Sequence, residues 1–384
     1  MICKAETIAA RSGLNQDEQY GSVVSPIHLS STYNFYGYNQ PRAYDYSRRS
    51  NPTRDLAQQA IAELEHGAGA VITNSGLAAL HLVCIVYLNP GDLMIAPHDC
   101  YGGSYRMIDS LSNRGIYRVI FMDQGDKNAL NRVLTREPKL VLIESPSNPL
   151  LRVVDIPYIC DAARSAGAIS VVDNTFLSPI LQNPLQLGAD LVIHSCTKYL
   201  NGHSDIIAGV VVANDINRLK EIAWWANNIG VTGAAFDTYL LMRGLRTLGA
   251  RIAIAQKNAL AIVNYLKKQS HVKKIYHPSL LENNGHQFAV RQQKGFGAML
   301  SFELDGNQQT IMDFLKNLTL FTLAESLGGV ESLISHTATM THAAMSEKAR
   351  QKAGISDMLL RISTGIENYE DLLNDLDQAF RSIS

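Results

Sequence analysis

The feature that most constrains the fold is an alternation running from position 70 to position 212. Short apolar runs recur there: Ala70-Val71-Ile72, Leu93-Met94-Ile95-Ala96, Val119-Ile120-Phe121, Leu140-Val141-Leu142-Ile143, Ile169-Ser170-Val171-Val172, Leu191-Val192-Ile193 and Gly209-Val210-Val211-Val212. Between several of them lie stretches with helical spacing, at about 76–88, 105–111, 129–134 and 156–166. Wholly apolar strands separated by helices are the mark of βαβ units, whose parallel sheet is covered on both faces. The predicted fold class is therefore α/β, with a mostly parallel, doubly wound sheet. A helix with Leu56, Ala60, Ile61 and Leu64 on one face precedes it and is ended by Gly67.

Beyond Gly230 the alternation lapses. A long helical stretch is predicted over 235–268 with a bend at Gly249, then an apolar run at 298–304 and helices at 310–318 and 372–380. Residues 1–50, dense in Ser, Tyr and Asn, show no sustained period and read as an extended arm rather than a core element. A single core rarely grows beyond about 250–300 residues. The expected division of the 384-residue chain is an arm over 1–50, a large domain over 51–256 and a smaller α+β domain over 257–384.

Composition excludes several partner classes. A net charge of -1 leaves no broad basic field for nucleic acid or anionic lipid. No run approaches the length of a membrane span, and Lys4, Glu6 and Arg11 interrupt the segment where a signal peptide would be apolar. The five cysteines have no C-x-x-C spacing and the 11 histidines no ligand spacing, so neither a disulfide framework nor a metal centre is expected. A cytoplasmic protein is the expectation.

Three elements carry chemistry. In Leu191-Val-Ile-His-Ser-Cys-Thr-Lys198 a buried strand runs straight into a lysine flanked by the hydroxyls of Ser195 and Thr197. Ligands of open α/β sheets bind beyond the carboxyl ends of strands, where a lysine loses water and its pKa falls far enough for imine chemistry. A lone lysine in such a loop is usually just a surface residue. Asp173 changes that, because it ends a second buried strand 25 positions upstream. A strand-end carboxylate and a strand-end lysine together suit pyridoxal 5′-phosphate, whose ring nitrogen must stay protonated to draw electrons. Thr73-Asn74-Ser75-Gly76-Leu77 joins a strand to a helix, and its glycine would let helix N-terminal N–H groups face a phosphate.

These residues sit within longer segments: AYDYSRRSNPTRD (43–55), PHDCYGGSYR (97–106), ESPSNPLLRVVDI (144–156), VVDNTFLSP (171–179), HSCTKYLNGHSD (194–205), AESLGGVESLISH (324–336) and LLRISTGIE (359–367). On them the chain resembles, over essentially its full length, the Cys/Met-metabolism pyridoxal-phosphate enzymes of fold type I. The resemblance implies one cofactor per chain as a Schiff base on Lys198, with Asp173 on the ring nitrogen and Tyr101 stacked on the ring. It further places Gly76, Leu77, Ser195 and Thr197 at the phosphate and Asn148 near the ring's 3-oxygen. Tyr46 and Arg48 would reach the phosphate from a neighbouring subunit's arm, making a tetramer of two active-site-sharing dimers. Lys198, Tyr101 and Tyr46 would be catalytic. Arg361, Glu325, Ser326, Arg49, Arg106 and Asp45 would meet the substrate, with Arg361 clamping its α-carboxylate.

The implied reaction joins O-succinyl-L-homoserine and L-cysteine into L-cystathionine and succinate, a step toward methionine. Rivals within the family are a γ-lyase and a homoserine-ester sulfhydrylase. Glu325 disfavours a β-lyase, since γ-acting members tend to carry an acid there. Outside the family stand a cofactor-free Schiff-base aldolase and a non-catalytic binding protein.

Overall fold

A computed structural model describes residues 3–343, 350–351 and 353–383. The first sheet has seven strands: β1 (Gly69–Thr73), β2 (Leu93–Pro97), β3 (Arg118–Met122), β4 (Leu140–Glu144), β5 (Ile169–Asp173), β6 (Leu191–Ser195) and β7 (Gly209–Ala213), in the order β1-β7-β6-β5-β4-β2-β3. The run from β6 to β3 is parallel, joined by α4 (Gly102–Asn113), α5 (Lys127–Leu134) and α6 (Ile156–Ser165) among the connections. β7 is antiparallel to both neighbours. No helix intervenes between Ser195 and Gly209, so the chain must return in the opposite direction. That return loop carries Lys198.

Helices cover both faces. On one, α2 (Pro52–Glu65) packs with Val192, Val210 and Val212; on the other, α3 (Gly76–Tyr87) packs with Val71, Leu191 and Val211. Each helix starts for a local reason. Asn51 caps α2 by accepting from Thr53 and Arg54 N–H ahead of Pro52, and Ser75 Oγ caps α3 by accepting from Ala78 N–H at 3.1 Å. His66, in the left-handed region at φ 58, ends α2 one residue before the glycine expected to do so.

The second sheet has five strands, β8 (Val272–Tyr276), β9 (Met299–Leu304), β10 (Thr322–Leu323), β11 (Leu333–His336) and β12 (Leu359–Ser363), in the order β10-β11-β12-β9-β8. The predicted helical stretch over 235–268 is two helices, α9 (Ala235–Leu245) and α10 (Leu248–Leu266), separated at Arg246-Thr247 rather than bent at Gly249. α10 spans both cores. Leu248, Ile252 and Ala255 join the first sheet's cluster, whereas Ala259, Ile262, Val263 and Leu266 join the second's.

Three elements escaped the sequence reading. α8 (Ile216–Ile229) had no counterpart in the sequence reading, because only Ile222 and Ala226 on it are buried. β8 reads as polar, with Lys273 and Lys274 exposed along it. The N-terminal segment is not wholly extended. It contains α1 (Ala5–Ala10), six residues with Ala9 alone buried, too short for a period to show.

Candidate active site

The carboxyl ends of β1, β5 and β6 open onto one cavity of about 370 Å³. Lys198 and Asp173 face it together with Gly76, Leu77, Ser195 and Thr197. Tyr101, Asn148, Glu325, Ser326 and Arg361 line the rest of the predicted set's share. Residues as far apart as Gly76 and Arg361 therefore converge because strand ends of the first sheet meet β12 and the loop before β11.

Lys198 follows β6 and points its Nζ at Ser326 Oγ, 2.7 Å away. Burial, reinforced by the nearby Arg361 cation and opposed by Glu325, lowers its amine to about 8. Ser326 holds an unusual backbone at φ 91, and its carbonyl accepts from Arg361 Nη2 at 2.8 Å. Arg361 is buried on β12, and its Nη1 donates to Asn148 Oδ1 at 3.0 Å. Among the described residues its Nε–H has no acceptor. A buried guanidinium with a spare donor is a ready carboxylate clamp.

Asp173 is pushed upward by burial and pulled back by Thr175, whose Oγ1 and N–H donate to Asp173 Oδ1 at 2.6 and 3.0 Å. No lysine or arginine pairs with it among the described residues. A protonated ring nitrogen would supply the missing positive charge. The phosphate end fits equally well. A Cβ on Gly76 would lie 2.8 Å from Ser195 Cβ, so only glycine lets the α3 N-terminus approach the Ser195 hydroxyl. The first N–H groups of that helix have no intrahelical partner and carry the positive end of its dipole. The donors, the unpaired acid and the deprotonation-prone lysine together fit pyridoxal phosphate.

Sequence reasoning missed Glu144. It ends β4 as Asp173 ends β5, lines the cavity, and accepts from Tyr101 N–H at 2.9 Å and Asn148 N–H at 3.1 Å. Burial and then the Asp173 charge hold its carboxyl well above the ordinary range. Glu144 thereby places Tyr101, the residue before α4, whose ring folds over Gly103 where a Cβ would come within 2.5 Å of it. Its signal was a strand-end acid, the same signal that found Asp173. Thr175, Ser75 and Thr341 also line the cavity.

Five predicted residues do not line it within one chain. Tyr46 is half exposed, Arg48 Nη1 donates to Asn227 O at 2.7 Å, and Arg49 pairs with Asp45 at 2.7 Å. Arg106 is exposed on α4, one turn beyond Tyr101.

Fold and site define a pyridoxal-phosphate-dependent enzyme of fold type I. The chain belongs to the Cys/Met metabolism PLP-dependent enzyme family, whose profile matches residues 6–381. It is 71% identical over 382 residues to a cystathionine gamma-synthase of Escherichia coli, covering 100% of this chain and 99% of the other. A cystathionine beta-lyase of Lactococcus lactis is 42% identical, with 97% and 98% covered. Among solved structures, cystathionine gamma synthase of Xanthomonas oryzae pv. oryzae superposes with a TM-score of 0.99 at 53% identity, covering 100% and 99%. It was solved with aminoacrylate and cysteine, and with cystathionine.

The lysine's lowered pKa has a direct consequence. Only the neutral amine is a nucleophile, so capture of added pyridoxal phosphate by the cofactor-free protein should quicken about tenfold per pH unit below 8. Above about 8 the rate should level off. Stopped-flow absorbance across pH 6–10 measures it, and a rise that continues unbroken from pH 8 to pH 10 would mean an ordinary exposed lysine.

Proposed function

We propose that the protein catalyses a γ-replacement in which O-succinyl-L-homoserine and L-cysteine give L-cystathionine and succinate, serving methionine biosynthesis. Full-length identity of 71% to a cystathionine gamma-synthase carries this reading. When bound, pyridoxal phosphate supplies the electron sink that makes the substrate's Cα and Cβ protons removable.

The chain's own residues position and shuttle. Asp173 would keep the ring nitrogen protonated, Tyr101 would cover the ring face, and Asn148 would lie near the 3-oxygen. Gly76 and Leu77 N–H, with Ser195 and Thr197, would hold the phosphate. Arg361 fixes the substrate α-carboxylate through its spare donors. Lys198 Nζ would carry protons between the substrate's Cα, its Cβ and the cofactor, giving each one up before taking the next. Ser326 Oγ steers it between them. The Cγ–O bond breaks, succinate leaves, and the cysteine sulfur bonds to the same carbon. Glu325, at the cavity rim beside Lys198 and Arg361, faces the amino-acid substrates.

In this reading Tyr46 and Arg48 complete a neighbour's phosphate site, and the assembly is a tetramer of active-site-sharing dimers. Support comes from the arm, where Tyr20, Leu29, Tyr36 and Tyr38 are all exposed. The large domain would end at 256, where α10 changes core. Four buried thiols and exposed Cys3, all unpaired, suit the cytoplasm, and no described helix is long and apolar enough to cross a membrane.

Succinyl selectivity is tested through Arg106 and Arg49, which would meet the ester's distal carboxylate. Losing a hydrogen bond to a charged group costs about 1.5–3 kcal/mol, or roughly 10- to 100-fold in kcat/KM. Arg106→Ala and Arg49→Ala should show that loss on O-succinylhomoserine and largely spare O-acetylhomoserine. Equal losses on both esters would remove these arginines from the role. A wild type preferring the acetyl ester would favour a sulfhydrylase.

A further inference from the structure

Behind the cofactor cavity lies a buried polar cluster that the proposed mechanism does not use. Successive residues of a strand face opposite sides of a sheet. Glu144, Asp173 and Ser195 face the cavity at the ends of β4, β5 and β6. Their immediate neighbours Asn174 and His194 face the other way and meet at Glu65, the last residue of α2. Asn174 Nδ2 donates to Glu65 Oε1 at 2.8 Å, and His194 Nε2 lies 2.7 Å from the same oxygen.

A second link extends this to β4. Asn174 Nδ2 also donates to Gln182 O at 2.8 Å, and Gln182 Nε2 donates to Asn174 Oδ1 at 3.0 Å and to Ser145 O at 2.9 Å. One connected cluster thus holds a residue adjacent to each of the three cavity-facing strand-end groups.

Glu65 is fully buried, and among the described residues it has no lysine or arginine beside it and its Oε2 has no partner. It also stands at the negative end of a helix, where a carboxylate is unfavourable. Neither burial nor helix stability accounts for an acid at this position. Its contacts to the strand ends do.

We propose that Glu65 is a positioning residue for the cofactor: by clasping Asn174 and His194 from behind, it sets the spacing and aim of Asp173 and Ser195 toward ring nitrogen and phosphate. Thr175 couples the same pair from the front, donating to Asp173 and accepting from Ser195 N–H at 2.9 Å. The two strand ends are therefore braced on both faces. The inference rests on the reading of this cavity as the cofactor site.

The test measures pyridoxal phosphate affinity of the cofactor-free protein, the absorption bands of the bound cofactor, and thermal stability. Variants are Glu65→Ala, Glu65→Gln and, as a control, Asp375→Asn. Asp375 is another buried acid, accepting from Thr319, Leu320 and Phe321 in the second domain. Glu65→Ala should weaken cofactor binding roughly 10- to 100-fold and shift the ratio of its absorption bands. Glu65→Gln, which can still accept from Asn174, should fall between it and wild type. Asp375→Asn should lose stability with wild-type affinity and spectrum. If Glu65→Ala does not fold, Glu65→Gln decides by the same measurements. Unchanged affinity and spectrum in the folded Glu65 variants would overturn the positioning role, as would an equal loss in Asp375→Asn. Failure of the wild type itself to bind pyridoxal phosphate would instead overturn the reading of the site.

Discussion

Lys198→Ala is expected to lower kcat by about 10⁴-fold even with pyridoxal phosphate saturating, the upper end of what a positioned acid–base group contributes. The expectation rests on geometry and on uniqueness. Among the described residues Lys198 is the only lysine lining the cavity, its Nζ sits 2.7 Å from Ser326, and its amine is lowered to about 8. Arg361 would still bind the substrate carboxylate, so KM should change far less than kcat. Borohydride reduction of the wild type, followed by peptide mapping, should leave the pyridoxyl group on the peptide holding Lys198. Its recovery on any other lysine would refute the assignment. A colourless protein that borohydride leaves unlabelled would refute the enzyme reading altogether.

Mixing an inactive chain with an impaired one should restore activity. A Lys198→Ala chain lacks the shuttle, and an Arg48→Ala chain lacks a phosphate contact, whose loss should cost roughly 10- to 100-fold. If Tyr46 and Arg48 serve the neighbour's site, one site of each hybrid dimer contains both intact parts and the other contains neither. With random pairing half the dimers are hybrids, so about a quarter of wild-type activity should return. Refolding the two chains together and assaying the mixture measures it. Hybrids that form, as shown by differently tagged chains, yet recover nothing would mean that each site is built within one chain. Arg48 would then keep the partner it has in the single chain, the carbonyl of Asn227.

The parts of this protein visible without a structure share one property: their cause is local along the chain. Most of the strands from β1 to β7 were legible because strands buried on both faces are largely apolar, and the edge strand β3 because it keeps the apolar run Val119-Ile120-Phe121 behind its exposed Arg118. Asp173 and Lys198 were legible because a polar residue at the end of such a strand breaks an otherwise uniform pattern. Where burial is one-sided or slight the signal fades. α8 and the lysine-bearing β8 escaped for that reason, and α1 because six residues cannot display a period.

Other features depend on contacts between distant segments. Nothing near Glu65 in the chain marks it as different from the exposed acid at position 63. Only folding brings it to His194, 129 positions away. Glu144 acquires its raised carboxyl from burial and from Asp173 on the adjacent strand, and Arg361 its spare donor from the loop that carries Ser326.

The sequence by itself determined the secondary-structure alternation, the sheet class and the strand-end pair of Asp173 and Lys198, since hydrophobic period and strand-end polarity are properties of neighbouring residues. Tertiary structure alone decided the antiparallel return of β7, the shared core of α10, the bracing of the strand ends and the pKa of the lysine. Each of these is set by which surfaces exclude water from one another, and that is a property of packing between segments far apart in the chain.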